Sequence, residues 1–233
     1  MVNYNGKNVL ITGASGGMGV ILCKQLAEQG AKLSLCSNDK DRLDSLVKEL
    51  EGKTSVFAKV IDITNEAEVE KFFEESFAAN GEFHALCNLA GLSIPTKIPE
   101  AEVDAYDMMM DVNVKGTFLA SKHFAAHAAD PAIIVNIGSM AARNANGNAP
   151  LYRTAKAAVN MFSRGLRIQV GAKNIRVTTV NPGGADTPFW GTREVDKSKL
   201  MQPEEVVEVI MFVLMSNPKI QIHDIFFESS SRF

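Results

Sequence analysis

The sequence predicts an α/β chain, a doubly wound parallel sheet of seven strands with helices on both faces. Three observations predict it. Short aliphatic runs recur along the 233 residues, segments of helical period separate them, and the first run breaks into a turn rich in glycine before a helix resumes. Strands alternating with helices form parallel sheets covered on both sides.

The aliphatic runs fall at residues 9–11, 33–36, 56–61, 85–89, 133–137, 175–180 and 222–227. The first opens "NVLITGASGGMGVILCKQLAEQGAKL", which passes through Gly13, Gly16, Gly17 and Gly19 into a helix and then the second run. Next comes "DRLDSLVKEL", with apolar positions at Leu43, Leu46, Val47 and Leu50 that share one helix face. "NEAEVEKFFEESFAA" follows the third run, with Asn65 as N-cap and Glu68 three residues on. "LYRTAKAAVNMFSRGL" is helical in pattern, and "QPEEVVEVIMFVLM" places Pro203 at a first helical position with acidic residues behind it. No linker, low-complexity tract or repeat divides the chain, so residues 1–233 read as a single domain. The least regular stretches, 92–100, 143–150 and 187–201, follow carboxyl ends of strands, where doubly wound sheets bind ligands.

Composition excludes several function classes. A net charge of −3 without a basic cluster gives no electrostatic reason to bind nucleic acid. No stretch is apolar enough to span a membrane, and the opening "MVNYNGKN" lacks the apolar core of a signal peptide. Cys23, Cys36 and Cys87 lie in apolar segments without metal-ligand spacing, which reads as buried reduced thiols and no metal. A cytoplasmic protein is the expectation.

Glycine inside a helix or strand costs about 0.5–1 kcal/mol against alanine. A turn of small residues between strand and helix lets backbone approach a diphosphate, whose charge the helix N-terminus favours. Gly13 would allow the turn, Gly17 the close approach and Gly19 tight helix–strand packing. The competing account is a turn serving packing alone. It is not a P-loop, since no Gly-Lys-Ser/Thr follows.

The spacing of Thr12, Gly13, Gly17 and Gly19 begins an ordered set of motifs: "DIT" at 62–64, "NLAG" at 88–91, "NVKG" at 113–116, "NIGS" ending at Ser139, "YRTAK" at 152–156 and "NPGG" at 181–184. In that order, over nearly the whole chain, they resemble the short-chain dehydrogenase/reductase family in its compact single-domain branch. The resemblance implies a Rossmann-like fold and a hydride transfer between NAD(P)(H) and a carbonyl or secondary alcohol. It also implies a catalytic set of Asn113, Ser139, Tyr152 and Lys156. Cofactor contacts would come from Gly13, Ser15, Gly17, Met18 and Gly19, from Ser37 and Asn38, and from Asp62 and Ile63. Asn88, Ala90, Gly91, Tyr152, Lys156, Pro182, Gly183 and Thr187 would supply the rest. Asp62 would meet the adenine amino group, Lys156 the nicotinamide ribose and Thr187 the carboxamide. Asn113 would support a water on the proton path. Leu89 departs from the family's Asn-Asn-Ala-Gly. Relatives commonly form homodimers or homotetramers, with the long helices carrying Asn113 and Tyr152 as contact faces.

The residues support the same chemistry on their own terms. Tyr152 and Lys156 are four apart, hence one turn apart on one helix face. A phenol titrates near about 10, and a nearby ammonium lowers that value toward useful acid–base work. The alternative is a chance pair on an exposed helix. Ser139, thirteen residues upstream, can hold the reacting oxygen while Tyr152 transfers the proton. As a hydrolase nucleophile it would want a histidine base, and His84, His123, His127 and His223 stand in no such motif, reading instead as helix-surface or strand-end residues.

Choice between NAD and NADP belongs at the end of the second strand, "LCSND". Ser37 and Asn38 are neutral donors able to accept a 2′-phosphate, with Lys40 and Arg42 near, and the reading leans to NADP over NAD. Phe189 and Trp190 read as an apolar lid or as packing, and Arg143 as a solvated loop residue in preference to a contact for an anionic substrate. The substrate is a small carbonyl or alcohol of unspecified identity. The alternatives are a nicotinamide-nucleotide-binding regulatory protein without turnover, and an isomerase or lyase with a tightly held cofactor.

Overall fold

Every residue of Asn8–Thr12 (β1) is buried, as a central strand of aliphatic composition requires. In the computed structural model, which describes residues 2–145, 147–191 and 193–232, it is an interior strand of a seven-stranded parallel sheet. Asn146 and Thr192, inside two of the irregular stretches noted above, lie outside the described residues, as do Met1 and Phe233. The other strands are Lys32–Ser37 (β2), Val56–Val60 (β3), Phe83–Asn88 (β4), Ala128–Ile137 (β5), Ile175–Pro182 (β6) and Asp224–Phe227 (β7), in spatial order β3-β2-β1-β4-β5-β6-β7. Thr12 pairs with Cys36 on one side and Asn88 on the other, so the carboxyl ends of β2, β1 and β4 are level. The chain winds outward from β1 through β2 to β3, then returns to β4. The crevice of the fold therefore opens between the carboxyl ends of β1 and β4.

The helices are Gly17–Glu28 (α1), Lys40–Leu50 (α2), Glu66–Asn80 (α3), Val103–Met110 (α4), Gly116–Phe124 (α5), Pro150–Val170 (α6) and Pro203–Met215 (α7). Alternation along the strands divides the core in two. Val9, Ile11, Ala85, Cys87, Ile133 and Val135 pack with Leu22, Leu26, Leu46 and Ile210 of α1, α2 and α7. Leu10, Leu86, Ile134 and Val177 face Phe72, Phe73, Leu119, Phe124 and Leu166 of α3, α5 and α6.

Local chemistry sets the helix ends. Asn65 caps α3, accepting from Ala67 N at 3.1 Å and Glu68 N at 3.4 Å. Glu68 does not close a capping box on the Asn65 backbone; it accepts from Asp62 N at 2.8 Å and from the Asn65 side chain at 3.0 Å. Pro203 opens α7 as expected, with the Glu205 carboxylate accepting from Gln202 N at 2.6 Å. Cys23, Cys36 and Cys87 are buried and unbridged. Among the described residues no helix is long and apolar enough to cross a membrane.

Candidate active site

The glycine turn leaves β1 at Gly13, whose φ of +66° suits only glycine and whose Cβ would lie 2.8 Å from Ala90 N. β1 and the chain after β4 thereby come into direct backbone contact. A Cβ on Gly19 would strike Gly13 O at 2.5 Å, which keeps α1 tight on the turn. A Cβ on Gly17 would meet Thr187 Cγ2 at 3.0 Å and Pro188 Cδ at 3.3 Å, so the chain after β6 lies against the turn. The first turn of α1 carries no acidic side chain, and its N-terminus keeps its positive end unopposed. A diphosphate fits that donor set.

The β2 side of the crevice is small and polar. Ser15 and Ser37, both buried, stand Oγ to Oγ at 2.5 Å, and Ser37 Oγ also accepts from Asp39 N at 3.1 Å. Asn38 is exposed beside them. The Asp39 carboxylate caps α2 through Arg42 N at 3.1 Å and pairs with Arg42 Nε at 3.3 Å. Asp62 is exposed, but its carboxylate accepts from Thr64 N and Thr64 Oγ1, both at 2.8 Å, which holds the turn before α3. Ile63 packs against Gly116. Asn88 points its side chain away from the crevice: its Nδ2 donates to Asn136 Oδ1 at 2.8 Å and Ser121 Oγ at 3.3 Å in the buried interior. Ala90 N donates to Thr12 Oγ1 at 3.2 Å, and the Cα of Gly91 turns toward Asn113 and Lys156.

Asn113 sits in a π-helical turn, Asp111–Lys115, between α4 and α5, and not in a continuous α-helix. Such bulges recur at functional sites. Its Nδ2 donates to Leu92 O at 2.9 Å and Met109 O at 2.8 Å, while its Oδ1 is buried without a partner.

A cavity of about 610 Å³ opens beyond the turn. Met18, Gly91, Ser139, Tyr152, Lys156, Pro182, Gly183 and Thr187 all line it. Ser139 follows β5; its N donates to Asn181 Oδ1 at 3.1 Å and its Oγ accepts from Ala141 N at 3.0 Å. Lys156 is buried, its ammonium donating to Ile137 O at 2.9 Å and lying 5.8 Å from the Tyr152 ring centre. Burial lowers the Lys156 ammonium to about 8. Burial likewise pushes the Tyr152 phenol up to about 12, against the downward pull of a hydrogen bond to Ser139 and of the Arg193 and Arg153 charges. The net shift of the phenol is upward, opposite to the sequence expectation, because its own loss of water outweighs those lowering contributions.

Phe189 packs on Tyr152 with ring centres 5.7 Å apart, and Trp190 on Phe189 at 6.1 Å, so both are walls of the cavity. Arg143 is exposed, as the sequence suggests, and its guanidinium also stacks on the Phe226 ring at 4.5 Å. Among the charged residues of the cavity, Arg153, Arg193, Asp196, Lys199 and Glu228 have no role in the sequence reading. Arg193 falls within the irregular stretch 187–201 that follows a strand's carboxyl end, but it belongs to no motif. Among the described residues no histidine lines the cavity.

Residues 7–198 match the family model described as short chain dehydrogenase. The chain belongs to the short-chain dehydrogenase family. It is accordingly an NAD(P)-dependent oxidoreductase. It is 30% identical to an uncharacterised oxidoreductase of Staphylococcus saprophyticus over 97% of this chain and 98% of the relative. A doubly substituted Serratia marcescens short-chain dehydrogenase/reductase superposes with a TM-score of 0.92 at 23% identity, covering 99% of each chain, a likeness of fold. A blue fluorescent protein from a metagenomic library, solved with NADPH, superposes at 0.91 with 26% identity, covering 97% of this chain and 98% of that one.

Proposed function

We propose that this short-chain dehydrogenase reduces a small carbonyl compound to a secondary alcohol, with Tyr152 as proton donor and NADPH as the favoured cofactor. The observation that carries the reading is the convergence of Ser139, Tyr152 and Lys156 on one cavity beside the glycine turn. A phenol at about 12 keeps its proton at neutral pH, which suits it to donate. Bound nicotinamide supplies the hydride. Ser139 Oγ would hold the carbonyl oxygen, and Tyr152 would pass its proton to that oxygen as the alkoxide develops. Lys156, fixed by Ile137 O, would hold the nicotinamide ribose and replenish the proton, with Asn113 placed behind it. The α1 N-terminus would hold the diphosphate, and one domain would carry both sites.

Support for NADP comes from Ser37, a neutral hydroxyl where a carboxylate would repel a 2′-phosphate, and from Asp39, whose charge is turned to its own helix and Arg42. The NADPH complex of the metagenomic relative points the same way. The helices α4 to α6 carry exposed Val103, Phe118, Met161 and Ile168, which suit a homo-oligomeric contact.

The test follows NADPH oxidation with a panel of aldehydes and ketones. Tyr152→Phe should keep cofactor affinity while kcat falls by about 10²–10⁴, the loss typical of a missing general acid. Cofactor binding without turnover in the wild type would instead favour a regulatory protein, and near wild-type kcat in the variant would remove Tyr152 from the proton transfer.

A further inference from the structure

Arg193 stands in the cavity wall with its guanidinium held but not neutralised. Its Nε donates to Trp190 O at 2.7 Å, one terminal nitrogen donates to Phe189 O, and the other reaches Ser93 Oγ at 3.4 Å. Those bonds use three of its five N–H groups and leave one on each terminal nitrogen. The guanidinium carbon lies 5.3 Å from the Phe189 ring centre and 5.0 Å from that of Trp190, so two aromatic faces restrict its orientation. Among the described residues no carboxylate forms an ion pair with it.

Arg153 adds a second charge of the same kind. It donates to Ala141 O and Asn144 O, its Nε is buried without a partner, and it too forms no ion pair among the described residues. Both guanidinium charges act on the Tyr152 phenol. The acids of the same wall are placed otherwise. Asp196 accepts from Ser198 and pairs with Lys199 at 3.7 Å, and Glu228 lies against Gly183.

Resting on the carbonyl-reductase reading, we propose that the substrate carries a carboxylate and that Arg193 is the residue that selects it, through a charge-assisted pair in which its free N–H groups meet the two carboxylate oxygens. The fork geometry of arginine matches a planar carboxylate, and low dielectric strengthens the pair. Preorganisation adds to this, because the guanidinium is already fixed by Phe189 O, Trp190 O and Ser93 Oγ. Docking an anion there also offsets one of the positive fields on Tyr152, so the phenol keeps its proton until the carbonyl takes it.

Two readouts test this on the full chain. Trp190 is the only tryptophan of the sequence, so its fluorescence reports binding beside Arg193 without any turnover. Benzoate should bind at least about tenfold more tightly than benzamide, with Arg193→Gln bringing the two within about twofold and Arg193→Lys falling between. In turnover with NADPH, 4-formylbenzoate should exceed its methyl ester about tenfold in kcat/KM, mainly through KM, and Arg193→Gln should remove the difference. Equal binding of benzoate and benzamide in the wild type overturns the proposal. An equal loss on acid and ester in Arg193→Gln also overturns it, assigning Arg193 to anchoring its loop. Preferential benzoate binding with no reduction of either aldehyde would sustain the anion site and remove the carbonyl-reductase reading.

Discussion

Lys156 holds its charge where water does not follow. Its ordinary value of 10.5 falls to about 8 through burial, so the folded chain binds the proton less well than the unfolded chain. Below pH 8 both states are protonated and folding carries the whole cost, about 3 kcal/mol at 1.36 kcal/mol per pH unit. Between 8 and 10.5 the unfolded chain holds more protons, so stability rises with pH, and above 10.5 the cost is gone. Lys156→Met keeps the unbranched stem and removes the charge, while leaving Ile137 O without its donor at a cost of about 1–3 kcal/mol. That second cost does not vary with pH. Urea unfolding at pH 7 and pH 10.5 should therefore show the wild type gaining about 3 kcal/mol on the variant across the interval. A difference that stays flat would refute the buried charge. The sequence could place the lysine one turn from the tyrosine; it could not reveal solvent access, and solvent access is what reversed the expected direction of the Tyr152 shift.

At the scale of elements, the π turn ties the chain after β4 to α4 and α5 through one side chain. The Asn113 side chain satisfies Leu92 O and Met109 O, and its backbone carbonyl accepts from Thr117 Oγ1 at 2.8 Å. Asn113→Ala leaves two carbonyls without that donor and should cost about 1–3 kcal/mol, together with a fall in kcat. Asn65→Ala removes the α3 cap at a cost of about 1 kcal/mol and should leave turnover unaltered. Thermal melts paired with NADPH oxidation distinguish a supporting element from the working one; a matched fall in kcat for both variants would erase the distinction. Strands and caps were legible because their signals are local: aliphatic runs, Asn65, Pro203, the glycines of the first turn. The π turn was not, since "DVNVK" continues a helical pattern and the widened hydrogen bonding leaves no mark on composition. Nor was the stacking of Arg143 on Phe226, which joins residues far apart in the chain. Asn88 matched its motif by position, yet its amide serves the interior.

For the whole molecule, α6 presents Met161 at 65% and Ile168 at 83% exposure, seven residues and so two turns apart on one face, with Phe118 of α5 exposed nearby in the fold. Apolar groups left so open suit burial by a second copy. Met161→Glu combined with Ile168→Glu should give monomers by light scattering, with native circular dichroism. A mass unchanged from the wild type would refute a contact on this face. The arrangement of Thr187 and Pro188 over Gly17 has a kinetic meaning of its own. A dinucleotide bound along that turn, as proposed, would part the chain after β6 from it on arrival and again on departure. Traffic of the dinucleotide, then, should be slower than the bond-making it enables, as loop-gated enzymes commonly show. Rapid mixing of enzyme and NADPH with excess substrate should give a burst of oxidation within the first turnover, followed by a slower steady rate that declines with added viscosity.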